Sequence, residues 1–413
     1  MPFANLDAVA AEVHVLAEHF AAAGHRLYLV GGIVRDLWLD RVIDGEVDID
    51  LTSDARPDEI KAIVGPLADA LWLQGERFGT IGAQLDGRAY EITTHRSEAY
   101  VAESRKPSVS FSTAIDQDLS RRDFTVNAMA VEVPSVALTD PYGGAEDLAQ
   151  RRLRTPLDPE VSFTDDPLRM LRAARFVAGY GLDADPALIV AMTELAERLD
   201  IVSVERIRDE FDKLLALEDP ASGIELLIET GVLARFAPEL DHVGLSDRLP
   251  RLVELSGGAR LRLAGLLAGV PLETVGKRLS ALRYSNEIRK SILTVLRSVE
   301  GLRAATSTPG AFRRWFDESQ DHRAEARVLV GWLDAGGADV VAASVALEHE
   351  LAADLATLGP PLTGEEVMES LGIAQGKAIG EALDFLKELR YEQGPLSGAE
   401  AREHLREWWT SQA

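Results

Sequence analysis

The 413-residue chain contains no cysteine. That removes disulfides, thiolate metal sites and cysteine nucleophiles from consideration. It has no run of eighteen apolar residues, so no membrane-spanning helix is expected. The first twenty residues carry Asp7, Glu12 and Glu18 but no Lys or Arg, which excludes the basic start of a secretory signal. A cytoplasmic protein with no membrane association is the expectation. No obligate protein partner is evident. Histidine is scarce as well: there are eight, and none lies between His242 and His322. Basic residues are outnumbered, 43 Lys and Arg against 68 Asp and Glu, for a net charge of −25. The global field therefore repels polyanions. One stretch runs against it. Between Lys277 and Arg314, nine basic residues face only Glu287 and Glu300, a local excess of seven. Such a patch binds phosphates, or is simply a solvated helix face.

What is present points to more than one domain, because 413 residues exceed a single core. The first ~150 residues alternate strand and helix signals. His25 to Gly32 reads as a strand ending in a glycine turn, and Glu46 to Thr52 as a second strand. Phe78 to Leu85 and Arg88 to His95 read as a hairpin around Asp86-Gly87. Val126 to Val133 suggests another strand. From about Arg151, helical periodicity dominates to the C-terminus. The expected class is α+β, a mixed-sheet head followed by an all-α remainder.

Asp48 and Asp50 lie two apart on the second expected strand, so they share a face. Two carboxylates there repel unless a cation offsets them. Mg²⁺ prefers few carboxylates completed by phosphate oxygens and water, and two such ions can clamp an in-line displacement at phosphorus. Alone, Asp-x-Asp is common on exposed edge strands. Upstream, Gly31-Gly32-Ile33-Val34-Arg35-Asp36 places glycines after a strand and before a helix. Backbone N–H groups can then approach a phosphate, the helix start favours anions, and Arg35 offers a charged fork. Asp166 and Arg169, three apart, read as neighbours on one helical face. There they offer an acceptor and a donor fork. Asp166 followed by Pro167 reads equally as a helix N-cap.

These motifs resemble those of class II tRNA nucleotidyltransferases and bacterial poly(A) polymerases. The resemblance rests on Leu29 to Asp36 with Asp48-Ile49-Asp50, on Arg121-Arg122-Asp123-Phe124-Thr125-Val126-Asn127-Ala128-Met129-Ala130, and on Asp165-Asp166-Pro167-Leu168-Arg169 through Arg172 and Arg175. It extends to Glu91-Ile92-Thr93-Thr94, Asp140-Pro141-Tyr142-Gly143-Gly144 and Glu205-Arg206-Ile207, weakens after about residue 240 and returns near Lys387 to Trp409. It implies a polymerase-β-like catalytic head (1–150), a helical neck with the nucleotide-selecting motif (151–225), a helical body (226–330) and a tail (331–413). It also implies CCA addition: CMP and AMP pass from CTP and ATP to the tRNA 3′ end, with Mg²⁺ and pyrophosphate release.

The same resemblance gives Asp48 and Asp50 the metal; Glu91, on a strand expected to neighbour that pair, is a candidate third carboxylate. Gly31, Gly32, Arg35, Arg122, Arg172 and Arg175 would hold the nucleotide, Asp123 the ribose hydroxyl, and Asp166 and Arg169 the base. If tRNA is bound, the positive excess of Lys277 to Arg314 places that stretch, with Arg289, Lys290 and Arg297, along the acceptor arm. The stretch Arg96 to Phe111 resembles the family's flexible loop. Relatives of this branch often carry a His-Asp hydrolase domain. The comparable stretch, Leu266 to Val270, has no such pair, so hydrolase chemistry is not expected. An A-adding-only enzyme or a poly(A) polymerase would need the same metal and adenine chemistry. A catalytically inactive RNA-binding protein is the rival from another class.

Overall fold

The structure, a computed structural model, describes residues 6–41, 49–101, 104–240, 244–333 and 335–412, with the side chains of 7, 8 and 97–109 outside that description. Its contacts divide the chain into two units, Met1–Asp241 and His242–Ala413.

In the first unit, helices α1 (Leu6–Glu12) and α2 (His14–Ala22) precede strand β1 (Leu27–Val30). All four residues of β1 are buried, as expected of a strand covered on both faces. Helix α3 (Gly32–Trp38), strand β2 (Ile49–Ser53) and helix α4 (Pro57–Val64) follow. Then come strands β3 (Ala70–Trp72), β4 (Thr80–Leu85), β5 (Arg88–Thr94), β6 (Arg96–Val101) and β7 (Ser104–Phe111), helix α5 (Ile115–Ser120), and strands β8 (Ala130–Val133) and β9 (Ala137–Thr139). Seven of these strands form one sheet in the order β3-β4-β5-β2-β1-β8-β9. It is mixed: β2 runs parallel to β5 and antiparallel to β1. The hairpin expected at Asp86-Gly87 is present, with both residues at positive φ. The strand expected from Val126 begins later, because Thr125–Asn127 forms a 3₁₀ turn first. The stretch expected to be a flexible loop runs as the antiparallel pair β6 and β7.

Helices α6 (Gly144–Ala149), α7 (Pro159–Asp165), α8 (Arg169–Tyr180), α9 (Pro186–Leu195), α10 (Val204–Leu215), α11 (Ala221–Glu229) and α12 (Val232–Phe236) complete the unit. Short polar residues start several of them. Asp158 and Asp185 each accept a backbone N–H two residues on, with proline at the first helical position. Gly181, at φ 61°, ends α8.

The second unit is helical throughout its described residues. It contains α13 (Leu245–Arg248), α14 (Gly258–Leu267), α15 (Leu272–Ala281), α16 (Asn286–Ala305), α17 (Pro309–Ser319) and α18 (Arg323–Leu333). Helices α19 (Gly337–Glu350), α20 (Ala352–Leu355), α21 (Gly364–Leu371), α22 (Lys377–Gln393) and α23 (Gly398–Ser411) follow. One core gathers Leu302, Phe312, Trp315, Ala326 and Val330. A second gathers Val367, Ala382, Leu386 and Leu405, flanked by Trp408, whose ring stacks on Phe385 at 4.9 Å. Capping boxes at Thr363/Glu366 and Ser397/Glu400 start α21 and α23.

Candidate active site

The site is built where β1 turns into α3. Gly31 sits there at φ 77°, a conformation that disfavours side chains. Space enforces the same choice. A Cβ on Gly31 would stand 2.9 Å from Arg122 Nη1 and 4.0 Å from Asp50 Oδ2. A guanidinium and a carboxylate therefore converge on a bare stretch of backbone.

Asp50 is exposed on β2, and its in-register neighbour on parallel β5 is Glu91, also exposed. Glu91 thus lies where its strand was expected to put it. Like charges side by side on adjacent strands are unfavourable unless something neutralises them. These are hard oxygen donors, the type that a hard divalent cation prefers. Asp48 lies outside the described residues. Among the described residues, no group of three His, Asp or Glu stands ready to hold a metal.

Arg35 differs from its expected posture. It is 6% exposed, and its guanidinium points inward. Nη1 donates to Asn127 Oδ1 at 2.6 Å, while Nε and Nη2 donate to Asp36 at 3.0 and 2.9 Å. Its Cζ lies 4.1 Å from the centroid of the Tyr180 ring and 5.2 Å from that of Phe176. The reason is position: α3 is short, and Ile33, Val34, Arg35 and Leu37 are all buried. Arg35 braces the turn from below. Gly32 leaves it room, since a Cβ there would approach Arg35 Nη2 at 3.4 Å.

Arg122 sits over the turn, with Nη2 donating to Asp118 Oδ2 at 3.2 Å. Asp123 faces the other way. It is 9% exposed and accepts from the Phe124 N–H, from Asn127 Nδ2 and, through Oδ2, from Arg172 Nε and Nη2 at 2.9 and 2.5 Å. Burial opposes its charge, but Arg172 and Asn127 overcome that and hold its carboxyl down at about 2. In this arrangement Asp123 is spent inside the protein.

Asp166 and Arg169 do not share a helical face, contrary to the spacing argument. Helix α7 ends at Asp165, Asp166 is extended at φ −137° and ψ 96°, and α8 begins at Arg169. Pro167 is the cause, because the residue before proline is driven out of the helical region. Asp166 is not the N-cap of α8 either: that position falls to Leu168, without a side-chain cap, although Asp166 Oδ1 accepts the Leu168 N–H at 3.2 Å. Its Oδ2 pairs with Arg206 Nη2 at 3.0 Å. Arg169 is 9% exposed, donates to Ser162 Oγ at 2.7 Å, and reaches the Arg121 carbonyl through Nη2. Arg172 and Arg175 both turn to Glu210 of α10, at 3.6 and 2.9 Å. Glu210 is only 4% exposed. Burial raises its pKa, and Arg175 and Arg172 more than reverse the shift.

Three residues were given no role from the sequence: Asp118, Asn127 and Glu210. Each left a trace. Asp118 stands four residues before Arg122, a helical ion-pair spacing. Glu210 interrupts the apolar face of α10 beside Ile207, Phe211 and Leu214. Asn127 offered only its place in a motif.

In the second unit, the basic stretch is less of a surface patch than its count suggests. Arg313 is buried and donates to Asp354 and to the Tyr391 carbonyl. Arg314 pairs with Glu388, and Lys277 with Glu273. Lys290 and Arg297 are exposed on α16, and Arg289 is half-buried there. At 3.6 residues per turn these three lie within one arc of about 100°.

The poly A polymerase head domain matches residues 27–154, and the probable RNA and SrmB-binding site of polymerase A matches residues 181–243. A CCA-adding enzyme from Streptococcus gordonii is 33% identical over 383 residues, 91% of this chain and 90% of the relative. Another, from Limosilactobacillus reuteri, is 31% identical over 337 residues, 80% and 81% of the two chains. Among solved structures, the Bacillus stearothermophilus CCA-adding enzyme in complex with CTP superimposes with a TM-score of 0.73 at 25% identity, covering 97% of this chain and 98% of that one. The sheet, the glycine turn and the long alignment agree: the chain belongs to the family of CCA-adding enzymes and is a nucleotidyltransferase.

Proposed function

We propose that this chain adds CMP and AMP, taken from CTP and ATP, to the 3′ end of tRNA, the terminal hydroxyl attacking the α-phosphate as pyrophosphate leaves. The observation that carries this reading is the convergence of Arg122 and Asp50 on the unsubstituted backbone of Gly31. A triphosphate laid along that turn meets backbone N–H groups and a guanidinium on one side and carboxylates on the other. Asp50, with Asp48 and with Glu91 beside it, would hold Mg²⁺. Bound there, Mg²⁺ supplies positive charge that offsets the charge developing on phosphate oxygens.

The chain's own residues do the rest. Gly31 and Gly32 let phosphate approach the backbone, and Arg122 fixes it. Arg35 acts through the turn it supports, and Arg172 and Arg175 through Asp123 and Glu210, so these hold the nucleotide site in shape. Asp166 and Arg169 stand at the break between α7 and α8, where a base edge takes the place of their present partners. An amine next to a ring acceptor suits an acceptor and a donor fork, and a carbonyl next to a ring N–H does not. Each mismatch strands a polar group at ~1–3 kcal/mol. Arg289, Lys290 and Arg297 would run along the acceptor arm. The solved relative bound to CTP supports the nucleotide assignment. No helix among the described residues is long and apolar enough to cross a membrane, and we place the reaction in the cytoplasm with its tRNA substrate.

The test uses three transcripts: tRNA lacking the whole CCA end, lacking only the terminal A, and complete. Each is incubated with each NTP separately. CMP on the first, AMP on the second and nothing on the third is the expected pattern. AMP alone on the second means A addition only, and a run of A on the complete tRNA means poly(A) synthesis.

A further inference from the structure

Asp118 lies on α5, ahead of the arginine pair, and is fully buried at 0% exposure. Its two oxygens divide the work. Oδ1 accepts from Arg121 Nε at 3.0 Å, from Arg121 Nη2 at 2.7 Å and from the Arg96 backbone N–H at 3.4 Å. Oδ2 accepts from Arg122 Nη2 at 3.2 Å. Arg122 Nε finds no acceptor among the described residues, so the Asp118 contact fixes which way that guanidinium points. The other end of it, Nη1, is the atom that crowds Gly31. Arg121, held on the opposite oxygen, presents its carbonyl to Arg169.

We infer that Asp118 is a positioning residue for nucleotide binding, setting Arg122 over the Gly31 turn and, through Arg121, setting Arg169 at the base-selecting break. It rests on the reading of the Gly31 turn as the nucleotide site. A buried carboxylate between two guanidinium groups differs from a surface pair. Removing its charge takes a carboxylate partner from each guanidinium in a poorly solvated place, and Arg122 turns toward water or other acceptors. The Arg96 contact adds a third element, because it ties the base of the β6–β7 hairpin to the same carboxylate. Burial disfavours the charged form, and Arg122 and Arg121 outweigh it, so Asp118 stays ionised at neutral pH.

The test compares wild type with Asp118→Asn, Asp118→Glu and Leu119→Ala. Leu119 is equally buried but packs against Tyr28 and Val30 in the apolar core. Four quantities are measured: equilibrium affinity for CTP alone, KM against kcat for CTP on a transcript lacking its CCA end, tRNA affinity, and the melting temperature. Asp118→Asn is expected to weaken CTP binding and raise KM by about tenfold or more, the scale of a lost charge-assisted hydrogen bond, with tRNA affinity unchanged. Asp118→Glu, which keeps the charge, recovers part of the loss. Leu119→Ala lowers the melting temperature at least as far and leaves CTP affinity unchanged. Wild-type CTP affinity in Asp118→Asn overturns the inference. So does an equal loss in Leu119→Ala, which would make the effect one of stability. Wild type that binds neither CTP nor ATP overturns the nucleotide-site reading instead.

Discussion

Arg172 on α8 donates twice to Asp123, through Nε at 2.9 Å and Nη2 at 2.5 Å. Both bonds end on Oδ2, and together they join α8 to the residue beside Arg122. Glu210 on α10 receives Arg172 and Arg175 in turn, so the network joins α8, α10 and the segment that carries Asp123.

The first prediction concerns pH. Asp123 is held at about 2, and Asp118 and Glu210 also lie below the usual carboxylate range. A folded-state pKa below the unfolded value stabilises the protein above the unfolded pKa, ~3.9 for Asp. That contribution is lost as pH falls through the folded value. Asp123 alone contributes on the order of 2 kcal/mol at neutral pH. Thermal melts from pH 7 to pH 2 should show stability falling mainly below about pH 4, and Asp123→Asn should flatten that fall. An unaltered profile in the variant would remove the pair from the stability account.

Asp50→Ala and Asp48→Ala should each abolish nucleotide incorporation while leaving the fold intact. Asp50 is exposed, so its loss opens no cavity, and it is the carboxylate whose Oδ2 reaches the Gly31 turn. Incorporation assays alongside circular dichroism check this. Near-normal turnover by both variants sinks the metal assignment.

Arg169→Ala and Asp166→Ala should separate. Arg169 is buried, and its loss strands Ser162 Oγ and the Arg121 carbonyl at ~1–3 kcal/mol each. Asp166 is less buried, and its loss removes its bond to the Leu168 N–H and its pair with Arg206, with about 0.5–1.5 kcal/mol at stake for the hydrogen bond. Both should raise UTP and GTP incorporation relative to CTP and ATP. The incorporation ratios and melting temperatures are measured together. Fixed ratios with lowered melting would reduce both residues to architecture.

Reversing Arg289, Lys290 and Arg297 to Glu should weaken tRNA binding and flatten its salt dependence, since fewer counterions are released. CTP binding should stay as it was. Filter binding at several salt concentrations decides it, and an unchanged slope would make α16 a merely solvated face.

Much of the head was legible because its signals are local. An apolar run followed by Gly31-Gly32, the Asp86-Gly87 turn and the Asp-x-Asp alternation each report on a few neighbouring residues, and β1, the β4–β5 hairpin and the exposed face of Asp50 follow from them. Motif order then named the family. Tertiary structure decided the partners. Whether Arg35 faces a phosphate or Asn127 depends on which side of α3 is buried, and that depends on Tyr180, nearly 150 residues away. Whether Asp166 and Arg169 share a face depends on Pro167 breaking the helix between them, a local signal that the three-residue spacing obscured. The roles of Asp118 and Glu210 depend on which arginines fold against them. A charged side chain states its charge in the sequence, but its partner is set by packing, because burial makes every unpaired charge costly and the fold alone supplies the neutralising group.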